Sequence, residues 1–282
     1  MSSAPAAQCS TSASPRRLVV RAASGKRGGG GGRQRKGGGG KQAKQAAAPQ
    51  PSARSKPLLM AEFKADEVLM FDPVAAGRDA LQVVYAYPNE YTVGITSLGY
   101  QLVWAFFETR TDVSVHRLFT DAHDPLPAFT DLLGFSFAWE LDYSNILSVL
   151  EQLGIPVLAA ERGDDHPLVF GGGPVLTANP EPYADFFDVV LLGDGEELLA
   201  SFTERLLEAK RQLAAAGGGA AVPRRELLRA LAAVPGVYVP QLYRVEYESA
   251  TGPVASITPV EPGVPPAVQK QTYRGSTLAS ST

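Results

Sequence analysis

The sequence has 282 residues, 45% of them hydrophobic and 20% charged, with a formal net charge of −3. That small value hides an asymmetry: residues 1–61 hold 12 Lys or Arg and no acid, leaving 14 basic against 29 acidic residues in the rest. The single cysteine, Cys9, excludes an internal disulfide and any zinc or iron–sulfur site built from this sequence's own cysteines. No apolar run approaches the roughly 18 residues of a membrane helix.

From Met1 to about Ala23 the chain is rich in Ser and Ala, carries Arg16, Arg17 and Arg21, and has no acid. Leu18-Val19-Val20 is too short for the apolar core of a secretory signal, so the composition points to an organellar transit peptide. Val20-Arg21-Ala22-Ala23 is similar to a plastid processing site, which makes the chloroplast the expected destination and the mitochondrion the alternative. Gly25 to Lys56 is a Gly/Lys/Arg/Gln tract without the apolar surface to offset ordering entropy. Such a tract can hold RNA electrostatically, but with no aromatic residue to stack on bases it reads as a solvated linker rather than a nucleic-acid site. Residues 1–57 are therefore expected to be transit peptide and linker, and 58–80 a lead-in segment.

Leu81–Ala86 reads as a first strand, broken by Tyr87-Pro88-Asn89. Ser97 can cap a helix running to about Thr109, with Leu98, Leu102, Ala105 and Phe106 on its apolar face. Val113–Phe119 and Leu132–Phe137 read as the second and third strands. Asp142 is placed to cap a helix over Tyr143–Leu153, ended by Gly154 and Pro156. Two short apolar runs follow, Pro167–Phe170 and Val189–Leu192, without the alternation of a half-exposed strand. Glu196–Ala215 forms a long closing helix. Five strands alternating with helices predict a doubly wound, flavodoxin-like α/β domain over 81–215, with a five-stranded parallel sheet and right-handed crossovers. Beyond a Gly-rich hinge, 222–282 should contain a helix (Arg224–Ala233), a β-hairpin (Tyr243–Tyr247 with Val254–Thr258) and an extended Pro-rich tail.

The informative stretch is Phe170 to Glu197, because both short strands end directly in glycines. Gly171, Gly172 and Gly173 (then Pro174) follow one; Gly193, Asp194 and Gly195 (then Glu196) follow the other. Ligands of open α/β sheets sit beyond the carboxyl ends of the strands, where backbone without side chains allows close approach. The plainer alternative is that these glycines only make tight strand-to-loop turns.

FGGGP, then Asn179-Pro180-Glu181-Pro182, then a strand ending Gly193-Asp194-Gly195-Glu196-Glu197, resembles the cobalamin-binding region that precedes the core domain of some radical S-adenosylmethionine (radical SAM) proteins. The resemblance runs from about Leu81 onward and is strongest between Gly134 and Glu197. It implies a sheet edge that receives cobalamin. Ser136 and Phe137 at the third strand tip, with Ser136 near the nucleotide tail, would form one part of that edge. Gly171, Gly172, Gly173 and Pro174 would let the tail pass, and Gly193, Asp194, Gly195 and Glu196 would line the other side. Trp139 is a further candidate to cover an apolar ligand, or else a packed aromatic.

Many cobalamin domains of this kind carry Asp-x-His-x-x-Gly after the first strand, whose histidine ligates cobalt. Here Tyr87 to Gly94 contains no histidine, so cobalamin is expected without a protein histidine below it. The remaining histidines suggest no site: Asp121, His123 and Asp124 share a loop but fit a turn, and His116 and His166 read as strand and loop residues. No metal ligand set and no catalytic residue is assigned. A radical core needs three cysteines for its [4Fe–4S] cluster, with S-adenosylmethionine on the fourth iron. Those cofactors are expected only in a longer family-like protein, and the expected partner is a radical SAM core in cis or in trans. The competing reading is a non-catalytic α/β interaction module that has lost cobalamin. A flavin- or nucleotide-binding protein would want a Ser/Thr-rich phosphate loop after Ala86, where only Thr92 is present.

Overall fold

The structure, a computed structural model, describes residues 58–217 and 222–273. The expected transit peptide and basic linker, residues 218–221 of the hinge, and residues 274–282 of the tail lie outside the described residues. β1 (Leu58–Leu59) and α1 (Ala61–Lys64) lead in. They are followed by β2 (Leu81–Ala86), α2 (Tyr91–Gly94), α3 (Leu98–Glu108), β3 (Val113–Leu118) and β4 (Ala122–His123). The alternation continues with β5 (Leu132–Ser136), α4 (Tyr143–Leu153), β6 (Leu168–Gly172), α5 (Pro174–Ala178), β7 (Val189–Leu191) and α6 (Gly195–Ala216). Last come α7 (Arg224–Leu231), β8 (Val237–Tyr238) and the antiparallel pair β9 (Tyr243–Tyr247) and β10 (Val254–Pro259).

Five strands form the parallel centre, in the order β3-β2-β5-β6-β7. Numbered among themselves they run 2-1-3-4-5, the flavodoxin-like order expected from the sequence. Three short strands widen this centre to eight. β4 lies antiparallel to β3 and carries β1 outside it, and β8 lies antiparallel to β7. β5, β6 and β7 are almost wholly apolar because both faces are covered, and β5 is buried at all five positions, whereas β3 carries Ser114, His116 and Arg117. Alternate side chains enter two cores. Val83, Tyr85, Leu132 and Phe170 join α3, α6 and α7 on one face. Val84, Ala86, Phe135 and Val169 join α4 and α5 on the other. Residues beyond the hinge share the first of these cores, through Leu227, Leu228, Leu231 and Val237.

Three local expectations are corrected. The buried stripe of α3 is Tyr100, Trp104 and Phe107, not Leu98, Leu102, Ala105 and Phe106. The helix is apolar nearly all round, so two stripes fit helical spacing, and the larger aromatic set faces the sheet, with Tyr100 stacked on Tyr85 at 4.9 Å. Leu98, left outside, is 58% exposed. Gly171 and Gly172 are not turn residues but the last two positions of β6, paired with Phe135 and Ser136. Asp142 occupies the N-cap position of α4, yet its side chain makes no capping hydrogen bond.

Two buried ion groups brace opposite ends of the sheet. Asp188, fully buried just before β7, accepts from Arg162 Nη1 at 2.9 Å and Val169 N at 2.8 Å, and pairs with Arg224 Nη2 at 2.6 Å. It thereby fixes α7 and the chain after α4 to the start of β6. On β3, Arg117 is 1% exposed, meets both Glu67 oxygens at 2.7 and 2.9 Å, and lies 4.1 Å over the Trp104 ring. Glu67 belongs to the lead-in segment, so this pair anchors that segment to the edge of the sheet.

Candidate functional site

Where the strand order reverses, an open α/β sheet leaves a crevice beyond its carboxyl ends. Here that point lies between β2 and β5, and the loops after these strands meet across it. Asn89 Nδ2 donates to Asp142 Oδ1 at 2.9 Å, and Asn145 Nδ2 donates to the Pro88 carbonyl at 2.8 Å. Tyr87, just after β2, is buried in the core at 2% exposure, edge-on to Tyr100 at 5.7 Å. Burial raises its phenol pKa, with the Asp142 carboxylate adding to the shift and a hydrogen bond from Trp139 opposing it. Asp142 is 6% exposed, and among the described residues its Oδ2 is sealed off without a hydrogen-bond partner. Burial raises the pKa of this carboxyl as well, against the stabilising Asn89 hydrogen bond. Around this polar centre the β5–α4 turn exposes Trp139 (64%) and Leu141 (86%). The aromatic side chain that sequence left undecided is therefore not packed inside.

The expected site residues all lie along this carboxyl edge, in different settings. Ser136 is buried beside the Tyr85 phenol, whose pKa burial pushes up and the Ser136 hydroxyl holds back. Phe137 is fully buried, donates its N–H to the Gly172 carbonyl, and packs edge-on against Tyr183 at 4.8 Å. A Cβ on Gly171 would strike Leu176 and Phe187, so this glycine serves core packing. Gly172 is different: a Cβ there would find nothing nearer than Leu191 Cβ at 3.8 Å. Gly173 has φ 114°, and a Cβ would lie 2.6 Å from the Phe137 carbonyl oxygen. It permits the sharp exit from β6 into Pro174, the exposed first residue of α5.

At the β7 tip the neighbour is the chain's own later segment. Gly193 (φ 112°) forms a parallel bridge with Gln271, whose carbonyl oxygen takes the space a Cβ would need. Gln271 N donates to the Leu192 carbonyl at 2.9 Å and Asp194 N to the Gln271 carbonyl at 3.0 Å. Asp194 Oδ2 accepts from Tyr273 N at 2.8 Å. Gly195 and Glu196 are exposed, and none of the described residues lies within 4 Å of a Cβ built on Gly195. Sequence reasoning missed Asn89, Asp142 and Gln271 as site-forming residues. The polar pair Asn89/Asp142 in the two loops flanking the switch point was the available signal; Gln271 offered none.

The histidines stand away from the crevice. His116 is on β3, His166 precedes β6 at the opposite end of the sheet, and His123 is on β4 with Nδ1 against the Asp124 carbonyl at 2.8 Å. Asp121 accepts from Tyr91 N, and Asp124 accepts from Arg117 N and pairs with Lys64. Among the described residues no three His, Cys, Asp or Glu side chains gather as a metal set, and no helix is long and apolar enough to cross a membrane. An open apolar groove of about 790 Å³ lies elsewhere, between residues 66–71 and α3. It is lined by Val68, Met70, Leu98 and Phe106 and by the polar Glu67 and Gln101.

An uncharacterized protein of Methanocaldococcus jannaschii is 26% identical over 114 residues, 40% of this chain and 24% of that protein. The chain thus spans about a quarter of the length of the curated relative it matches. No solved structure matches. Residues 112–240 match the family model described as radical SAM proteins, N-terminal, a span holding β3 to β8 and the tips of β5, β6 and β7. Through this segment the chain is related to the N-terminal region of radical SAM proteins.

Proposed function

We propose that this chain is the cobalamin-binding-type domain of a radical SAM iron–sulfur enzyme. One observation carries the reading: a flavodoxin-like strand order brings the glycine ends of β6 and β7 to the same carboxyl edge as the β2–β5 crevice. A broad, flat ligand with amide-bearing edges needs such an edge, with exposed backbone and an apolar cover. The residues present fit that demand in three places. Gly172 and Gly195 leave open space where a side chain would stand, and Trp139 offers an uncommitted aromatic face. Cobalamin bound there would supply a methyl carrier or assist a radical step in the core domain. This chain's own part is to hold and orient that group, with no histidine between Tyr87 and Gly94 to reach cobalt. The [4Fe–4S] cluster and S-adenosylmethionine do not fit this chain, whose single thiol cannot replace the three a cluster requires. They belong to the radical SAM core, in cis or in trans.

Titrating the purified chain with hydroxocobalamin, under reducing and anaerobic conditions, tests the proposal through the visible spectrum. Saturable binding is expected; its absence leaves the second reading, a non-catalytic interaction module. A specific feature favours that alternative. The β7 tip is already paired with the Gln271 segment, as an edge used only for chain contacts would be.

A further inference from the structure

Asp142 heads α4 with a helical backbone (φ −73°, ψ −5°), at the end of the 3-10 turn Glu140–Asp142, so its oxygens are not turned onto the free N–H groups of the helix. Its side chain makes no cap bond to α4 and instead reaches across the switch point, where Oδ1 accepts from Asn89 Nδ2 at 2.9 Å. Among the described residues Oδ2 has no partner, at a residue only 6% exposed. A buried acceptor in that state costs stability unless something completes it, and native structures keep few of them.

The completing group must be a donor. The partner already on Oδ1 is a neutral carboxamide, which indicates the chemistry that this carboxylate accepts here. The aromatic and apolar side chains above it, Trp139 and Leu141, suit a ligand whose polar groups sit on the rim of an apolar body. Building on the cobalamin reading, we infer that Asp142 Oδ2 is the acceptor for a carboxamide N–H on the corrin rim, with Trp139 covering the ligand beside it. Oδ2 is sealed from water, so uptake of the ligand moves the turn that carries it. That turn, Glu140–Asp142, is one 3-10 turn whose only buried residue is Asp142.

Asp142→Asn separates this role from a structural one. The variant's amide oxygen can still accept from Asn89, while an N–H₂ replaces the orphan oxygen and cannot accept from the ligand. The full chain and the variant are titrated with hydroxocobalamin, and Tm is measured on the same samples. The expected result is an unchanged or higher Tm with cobalamin binding weakened about ten- to a hundredfold, the range of a hydrogen bond to a charged group. Equal binding by both proteins overturns the inference and leaves the cobalamin reading standing. A marked fall in Tm also overturns it, because the carboxylate is then structural. A wild-type chain that takes up no hydroxocobalamin sinks the cobalamin reading itself, and this inference with it.

Discussion

Gly172 separates a glycine kept for a ligand from one kept for a turn. It is the last residue of β6, paired with Ser136, and its φ is not in the left-handed region. A Cβ there meets only Leu191, at 3.8 Å, an ordinary contact. Glycine inside a strand costs about 0.5–1 kcal/mol relative to alanine, and β-branched residues favour strands. Gly172→Val should therefore leave stability within about 1 kcal/mol of wild type. Its neighbour gives the contrast. Gly173→Ala must hold φ 114° and bring a Cβ to 2.6 Å from the Phe137 carbonyl oxygen. A loss of about 2–3 kcal/mol is expected, roughly 4–12 °C in Tm for a domain of this size. If a cofactor tail passes over β6, Gly172→Val abolishes hydroxocobalamin uptake at unchanged Tm. Thermal melts and visible titrations on the same preparations decide. A Gly172→Val protein that binds with wild-type affinity refutes passage at this position, and one that melts like Gly173→Ala refutes the open-space argument.

Removing the carboxylate in Asp188→Ala strands two buried guanidinium groups, Arg162 and Arg224. It should cost about 3–5 kcal/mol in urea unfolding; a loss below about 1 kcal/mol would contradict the bracing role. Burial of Glu67 opposes its ionised form, but the Arg117 and Tyr91 hydrogen bonds outweigh this and lower its pKa below 4.5. Its contribution is then fully present above pH 4.5 and lost as pH falls through the folded value. Wild type and Glu67→Gln should differ in stability at pH 7 and converge in acid, and parallel curves would refute the pairing. His116→Ala, His123→Ala and His166→Ala should each keep the spectrum of bound cobalamin, and loss of the bound form in any one would reveal a cobalt ligand. We also propose chloroplast import with cleavage near Ala23, so N-terminal sequencing of the plastid protein should start there; an intact Met1 or Ser2 rules it out.

The sheet was legible because its strands are short apolar runs with clear stops. Leu81–Ala86 is bounded by Pro88, and Val189–Leu191 by Gly193. Chain alternation then predicted the parallel order. The edge strands β1 and β4 were not legible: each is two residues long, and nothing periodic marks so short a segment. The α3 face misled because aliphatic and aromatic stripes coexist on one helix, and only the space beside Tyr85 selects between them. For the site, glycine tips were visible, but their reasons were not. Gly171 answers to Phe187, Gly173 to the Phe137 backbone and Gly193 to Gln271, and each is a tertiary contact. Asp142 was placed at the right helix end and assigned the ordinary use of that position. Its pairing with Asn89, 53 residues earlier, lies beyond local sequence rules.

The bridge from Gly193 to Gln271 also orders events in time. Asp194 and Tyr273 are 79 positions apart, so during synthesis β7 is complete long before its tip can be covered. The entropy of closing so long a loop grows only with the logarithm of its length, which makes this contact late rather than weak. Two backbone hydrogen bonds and the Asp194 carboxylate hold it, and none of residues 269–273 is buried. Segments held in this way open at low free energy while the core strands stay shut. The β7 end of the edge is thus completed late on the ribosome, and each opening of this contact bares the Leu192 carbonyl and the Asp194 amide together.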